Sequence, residues 1–290
     1  MNTQSWAGSE RFEDIPPHSL GFRTLSYAGL IVQRRKARDI LRHIVERELP
    51  TQDGESWQRA LECWDGRVDL DAARRSARAF EDLAAGDSDD AEAFAWCARA
   101  WYYVADYADD SRERIRLFER GARRGRQAVE LSNDSGALFW TAACMGGHAD
   151  LQGTLKRAAL APELLKYLAR LRDLDPDYYH GALYRYLGQA LVRQPGLAQR
   201  LIGFAFPEFA AEALMNKLRE SIDRDPPFVL THQTLGQLAF AADGDRETAA
   251  EMLECIDELD LDTDENLAPE NRHDSSRARE LLSEIVRGRR

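Results

Sequence analysis

A cysteine and a histidine one helical turn apart are the side chains whose types and spacing come nearest to a reactive pair. Cys144 and His148 stand four positions apart, and Asp150 follows them. Such a thiol and imidazole could form a nucleophile with its base, or two ligands of a metal ion. The sequence places no further ligand nearby. We therefore expect a buried thiol and a histidine at a helix end, with no metal and no cofactor. An enzyme with an unrecognised site around this pair is kept as an alternative.

Aromatic rings form a second candidate. His180 follows Tyr178 and Tyr179 where a helix should begin, so these rings could line a ligand pocket or pack as a staple against the preceding turn. Three more rings share one face of an earlier helix, namely Trp96, Tyr103 and Tyr107. These three could line a groove or be buried by the neighbouring helices, and we count both groups as candidate binding residues.

Arginine is concentrated between residues 112 and 126. Four of these side chains follow helical spacing on one face: Arg112, Arg116, Arg120 and Arg123. Guanidinium groups hold carboxylates with two parallel hydrogen bonds, so this stripe could bind an acidic partner peptide. The alternative is a solvated face that pairs with Glu113, Glu119 and the acidic neighbouring helices.

The charge balance excludes some classes of partner. The chain has 39 Lys and Arg against 50 Asp and Glu, a formal net charge of −11. A general nucleic-acid binder needs clustered cations along its surface, so we expect no nucleic-acid partner. The longest uncharged stretch near the start falls well short of the roughly 20 apolar residues of a membrane-spanning helix, so we expect no membrane span.

The cysteines bear on the compartment. The four of them stand far apart without CxxC spacing: Cys63, Cys97, Cys144 and Cys255. This pattern favours buried free thiols in a reducing cytoplasm over a disulfide framework. The first residues show no basic segment followed by an apolar run, which also favours the cytoplasm. A periplasmic location is expected only if an export signal has been removed.

The elements that must position these residues are helices. Apolar residues recur at helical spacing along nearly the whole chain, and no period-2 alternation lasts long enough for a strand, so the expected fold class is all-α. Short acidic clusters such as Ser132-Asn133-Asp134 and Asp243-Gly244-Asp245 should end one helix and cap the next. The expected helices cover residues 22–48, 55–63, 69–85, 89–108, 111–131, 135–150, 161–174, 177–194, 207–224, 227–242, 245–259 and 274–288.

A repeat groups these helices into pairs. A small residue recurs at Ala98, Ala143, Gly188 and Gly236, spaced by 45, 45 and 48 residues. Four positions before each stands a ring: Phe94, Phe139, Tyr184 and His232. This is the pattern of the first helix of a tetratricopeptide (TPR) repeat, although an alanine-rich bundle could produce it by chance. We expect a TPR-like α-solenoid of about four helix pairs with N- and C-terminal capping helices, and count Tyr184 among the candidate binding residues.

A family resemblance rests on a few runs of sequence. The run Ala137-Leu138-Phe139-Trp140-Thr141-Ala142-Ala143 is followed by Leu174-Asp175-Pro176-Asp177-Tyr178-Tyr179-His180-Gly181-Ala182, by Leu187-Gly188 and by Pro195. Together these runs look like the T-component (TatT) family of tripartite ATP-independent periplasmic transporters. The resemblance covers residues 70–255 and adds Trp140 to the candidate binding residues. The sequence departs from the family pattern in two ways. It has Gly196-Leu197-Ala198-Gln199 where paired glycines are expected, and it lacks a lipobox cysteine near the start.

The resemblance implies an all-helical TPR-like fold in a periplasmic lipoprotein that can form homotrimers. It also implies help for a partner protein that handles small hydrophobic or organic-acid ligands. From the residues themselves we expect an N-terminal tail with capping helices (1–66), a TPR-like domain (67–260), and an acidic linker with a capping helix (261–290).

The preferred function is a non-enzymatic binding or scaffolding protein that engages a protein partner or peptide through its concave face. A TatT-like accessory for a small apolar or organic-acid ligand is the alternative, and a homo-oligomer is left open.

Overall fold

A computed structural model describes residues 51–193, 195–225 and 227–288 of the 290-residue chain. The described residues form helices and connecting turns, with no strand among them, which confirms the all-α class. All of them belong to one compact unit, Leu49–Arg290. The helices are α1 Thr51–Asp65, α2 Leu70–Gly86, α3 Ala91–Tyr107, α4 Ser111–Leu131, α5 Ser135–Gln152, α6 Thr154–Leu174, α7 Tyr178–Arg193, α8 Pro195–Ala205, α9 Ala211–Arg224, α10 Val229–Asp243, α11 Arg246–Glu258 and α12 Ala268–Val286.

Aspartates set where many of these helices begin. An N-cap side chain accepts hydrogen bonds from backbone N–H groups that have no partner within the first turn of the helix. The expected caps are confirmed at Asp134, which accepts from Gly136 and Ala137, and at Asp245, which accepts from Thr248. Three further helices start in the same way, at Asp69, Asp90 and Asp110.

Proline accounts for the main differences from the expected helices. Pro195 opens α8, which fills the gap between the expected helices 177–194 and 207–224, because proline at a first helical position loses no hydrogen bond. Pro162 lies inside α6, which begins at Thr154 rather than at 161. Pro269 lies in the first turn of α12, which begins six residues before the expected 274. The expected helix 22–48 lies outside the described residues.

Helix packing mostly follows chain order. Consecutive helices contact each other from α1 to α8 and from α9 to α12, and α7 also contacts α9. A second series of contacts joins α3, α5, α7, α10 and α12. The repeated small residues lie at such contacts. A methyl group on Gly188 would meet Thr234 of α10 at 2.9 Å, and one on Gly236 would meet Leu282 of α12 at 2.8 Å. The repeated rings are all buried. These contacts agree with paired helices, and the solenoid arrangement stays a prediction.

The last helix also reaches the first described helices. Glu270 in the first turn of α12 forms a buried ion pair with Arg67, in the turn between α1 and α2, at 2.7 Å. The Asn271 side chain accepts from the Val229 N–H and donates to the Pro227 carbonyl, which fixes α12 to the start of α10. These contacts between residues far apart in sequence therefore link α12 both to the turn between α1 and α2 and to the start of α10.

Candidate functional site

A cavity of about 650 Å³ lies among the alternating helices. Side chains of α3, α5, α6, α7, α8, α10 and α12 line it, together with Trp64 of α1 and Arg114 and Phe118 of α4. Its volume falls in the range of about 300–1,000 Å³ that is usual for small-molecule sites. Protein interiors are packed nearly as densely as organic crystals, so a space of this size is a structural feature in its own right.

One part of the cavity wall is apolar. Residues of α6, α7 and α8 form it. Leucines, alanines and an isoleucine form it, and they are Leu160, Leu164, Leu165, Leu168, Leu187, Ala190, Ala198, Leu201 and Ile202. Among the described residues, no polar side chain of α8 lines the cavity. This wall suits a hydrocarbon or ring system that has left water.

The charged part of the wall carries excess positive charge. Six arginines line the cavity against four carboxylates. The arginines are Arg99, Arg114, Arg157, Arg185, Arg193 and Arg277, and the carboxylates are Asp106, Asp150, Glu270 and Asp274. Three of the carboxylates already have arginine partners, since Asp106 pairs with Arg114, Asp150 with Arg157 and Arg193, and Glu270 with Arg67. The cavity is thus locally cationic in a chain whose net charge is −11.

Arg99 lies in a cage of aromatic rings. Its guanidinium carbon is 4.8 to 5.2 Å from four ring centroids, those of Trp64, Trp96, Trp140 and Tyr179. Cation–π attraction from several rings holds the group in place. Its one hydrogen bond to the described residues goes to Tyr179 Oη at 3.4 Å, and its buried Nε has no partner. Arg99 forms no ion pair with a described carboxylate.

Tyr179 connects Arg99 to the ion pair that joins α12 to the first helices. Its hydroxyl donates to Glu270 Oε1 at 3.1 Å while it accepts from Arg99. Burial raises the pKa of Tyr179, and the Glu270 carboxylate adds to that effect. The phenol therefore stays protonated at neutral pH and can keep donating to Glu270.

The backbone at Tyr179 is left-handed. Tyr179, His180 and Gly181 have φ of 48°, 56° and 72°. For residues other than glycine this region costs about 1–2 kcal/mol each, so the turn needs support. Arg185 supplies it by donating to the carbonyls of Tyr179, at 2.7 Å, and of His180, while Ser221 also donates to the His180 carbonyl.

Arg185 is a second buried cation without a carboxylate partner among the described residues. Its guanidinium carbon lies 4.4 Å from the Phe228 ring centroid and 5.8 Å from that of Tyr179. Burial lowers the pKa of Arg185 to about 10, which still leaves it charged at neutral pH. Arg99 and Arg185 therefore place two positive charges beside one ring.

Asp274 is the fourth carboxylate of the lining. It is buried and accepts from the Tyr107 hydroxyl at 3.4 Å. Burial raises the pKa of this carboxyl. The His273 ring lies within 4 Å of it, and no arginine of the described residues forms an ion pair with it.

The candidate aromatic residues divide into two groups. Tyr103, Tyr107, Trp140 and Tyr179 line the cavity. Trp96 does not line the cavity. It stacks on Phe80, and its ring centroid lies 5.0 Å from the guanidinium carbon of Arg99. His180 also lies outside the lining, against Tyr179 and Phe228, and Tyr184 is buried against Phe209.

Cys144 and His148 have separate partners. The buried Cys144 thiol donates to the Ala98 carbonyl at 3.4 Å, and burial raises its pKa, so it stays in the unreactive thiol form. His148 contacts the Ile115 carbonyl and the Gln152 side chain. No cluster of His, Cys, Asp and Glu in the described part of the chain could hold a metal ion. The geometry gives no support to catalysis by this pair.

The arginine stripe lies on α4 and away from the cavity. Arg120 pairs with Glu81 and lies 4.5 Å from the Trp101 ring centroid. The other three side chains are exposed and form no ion pair with the described residues: Arg112, Arg116 and Arg123. Glu119 is not their partner, and Glu113 pairs instead with Arg74 of α2.

Sequence reasoning missed Arg99, Arg185 and Gln233. The repeat contained a signal for two of them, since the position after each repeated ring is Ala95, Trp140, Arg185 or Gln233, and the last three line the cavity. Gln233 is buried, and its Oε1 has no hydrogen-bond partner. Arg99 follows a repeated small residue, as does the cavity-lining Gln189. Polar residues at these positions of the repeat therefore line the cavity in several cases, whereas Gln237, which follows Gly236, does not.

Comparison of this chain with protein-family models and with curated proteins finds no match in either set. No helix in the described ranges has the length and apolar character to cross a membrane.

Proposed function

We propose that this protein binds a small molecule with an apolar body in the cavity of about 650 Å³. The observation that carries the proposal is the cavity itself, which has an apolar wall beside charged side chains, most of them already in ion pairs. Binding sites for small ligands have this composition. The small-ligand alternative from the sequence therefore takes precedence over the partner-binding function that the sequence favoured.

A neutral apolar dye tests the proposal. Trp64 and Trp140 line the cavity, so a bound dye such as N-phenyl-naphthylamine should quench tryptophan fluorescence and gain emission itself. Ala190→Phe places a ring in the cavity and should weaken dye binding at least about tenfold, through lost space rather than lost stability. Ala85→Phe adds the same ring at an exposed position and should bind the dye as the parent does. Equal affinity in all three proteins would contradict the proposal.

The resemblance to T-components suggests where such a ligand is used. It would make the protein an accessory that holds a ligand for a transport system. A neighbouring gene for a permease or substrate-binding protein of that transporter class would support this assignment, and its absence across related genomes would count against it.

A partner-binding function has its own support. Arg112, Arg116 and Arg123 are exposed cations without ion pairs among the described residues. An Arg116→Glu/Arg123→Glu double variant should lose binding of acidic peptides, whereas the interactions of Arg120 with Glu81 and Trp101 are left in place. Unchanged peptide affinity would contradict this function and leave ligand binding in the cavity untouched.

A further inference from the structure

We infer that the polar end of the cavity is an anion subsite centred on Arg99, and that the ligand is a single-chain amphiphile with a carboxylate head. The inference rests on the proposed function and adds the chemical class of the ligand. Its starting point is that Arg99 and Arg185 are cations without carboxylate partners among the described residues, although the chain as a whole has an excess of carboxylates.

The hydrogen bonds of Arg99 are incomplete. A guanidinium has five N–H donors, and the one hydrogen bond that Arg99 makes to the described residues is the 3.4 Å contact with Tyr179 Oη. Four aromatic rings fix the group without neutralising it. A cation removed from water is unfavourable unless a counter-charge and hydrogen bonds compensate it. A carboxylate supplies both at once, because it accepts two N–H groups of one guanidinium.

The surroundings favour one anionic head over a neutral or cationic one. Glu270 attracts Arg99, but its carboxylate is shared with Arg67, with which it forms the ion pair, and with the Tyr179 hydroxyl. Arg185 adds a second positive charge on the same Tyr179 ring.

The apolar part of the cavity indicates what the remainder of the ligand should be. Leucine, isoleucine and alanine side chains of α6, α7 and α8 form the apolar wall. Two arginines that these helices add to the lining, Arg157 and Arg193, are already paired with Asp150. A dicarboxylate or a sugar would leave polar groups unpaired against this wall. An alkyl chain buries its methylene groups there at about 0.8 kcal/mol each. The combination fits a fatty-acid-like molecule.

The test compares three probes that share one alkyl chain: dodecanoate, dodecanol and dodecyltrimethylammonium. Each is titrated into the whole protein below its micelle concentration, with calorimetry as the measurement. Dodecanoate should bind at least about tenfold more tightly than the other two, since a charge-assisted hydrogen bond adds about that factor. Arg99→Met should remove this preference while dodecanol affinity stays within about twofold. Arg123→Gln, which removes an exposed arginine, should behave as the parent.

The outcomes separate the two proposals. Dodecanol or the ammonium probe binding as tightly as dodecanoate would overturn the anion subsite and leave the proposed function standing. An Arg99→Met protein that loses dodecanoate and dodecanol equally would also overturn it, because Arg99 would then act through packing. Failure of all three probes, together with the neutral dye, would overturn the proposed function itself. The head-group comparison on the parent protein decides the question even if Arg99→Met does not fold.

Discussion

Two sides of helix α5 are packed very differently, one against α4 and the other along the cavity. On one side, α4 packs so closely that methyl groups have no room, since a Cβ on Gly121 would meet the Cys144 sulfur at 2.6 Å, and one on Gly125 the Thr141 Cα at 3.0 Å. On the other side, Trp140 and Ala143 of the same helix face the cavity of about 650 Å³. Glu270 and Tyr179, which belong to a buried network with Arg67, line this open side. We expect the charged network to support the open side and close packing to support the other.

The largest effect is expected where buried charge, rather than packing, supports the cavity. Glu270→Ala should lower the free energy of unfolding by about 3–5 kcal/mol, because Arg67 is left as an unpaired buried cation and Tyr179 loses its acceptor. Urea unfolding would measure the loss. Glu55→Ala removes an exposed ion pair with Arg59 and should change stability little. Equal effects of the two substitutions would mean that the network does not support the cavity.

The packed side should be sensitive to a single methyl group. Gly125→Ala should cost about 2–3 kcal/mol, since the new Cβ would displace the Thr141 backbone or its helix. Gly203→Ala on α8 has nothing within 4 Å of the new methyl group and should be neutral or slightly stabilising. A tolerated Gly125→Ala would show that the contact between α4 and α5 has slack, and the contrast between the two sides of α5 would be weaker.

Lowering the pH should reduce the free energy of unfolding through protonation of His180. Burial, with the charge of Arg185, lowers the pKa of His180 to about 4. The unfolded chain, with an ordinary histidine pKa near 6.5, then binds more protons than the folded one, so stability falls as pH drops from about 6.5 to 4.

His180→Asn isolates this effect, because asparagine tolerates the left-handed backbone and does not titrate. Between pH 7 and pH 4.5, the parent should lose about 2 kcal/mol more stability in urea unfolding than the variant does. Both proteins keep His232, whose pKa burial also lowers, so the difference reports His180 alone. Parallel pH curves would refute the assignment.

The smallest expected effect is a gain in stability. Ala190→Leu should fill part of the cavity and raise stability by about 0.5–1 kcal/mol. The same change at Ala142, buried on α5 and outside the cavity lining, should destabilise the protein by overpacking. If both substitutions destabilise the protein, the space beside Ala190 is smaller than the structure indicates.

The sequence was a good guide to local structure. Asp134 and Asp245 cap helices as expected, because a cap depends on residues two or three positions away. Pro195 was misleading, since proline ends one helix and begins another with equal ease, and only the packing of Ala198 and Ile202 shows which applies.

The candidate site was predictable only in part. Tyr103 and Tyr107 were recognisable as rings on one helix face, Tyr179 as a ring at an expected helix start, and Trp140 from the run that carries the family resemblance. Arg99 was not, because the rings around it come from four different helices and the chain has many arginines. The partners of Glu270 are also remote, with Arg67 203 positions away, and no local pattern links such residues.

The contact between Arg67 and Glu270 has a consequence for how the molecule melts. A row of helices in which each touches its neighbours can fray from either end while the middle stays folded. Here the last described helix is fastened to the turn after the first one, so neither can detach without breaking the same buried pair. Loss of structure at one terminus of this unit is thereby transmitted to the other, and the unit should unfold in one cooperative transition rather than helix by helix.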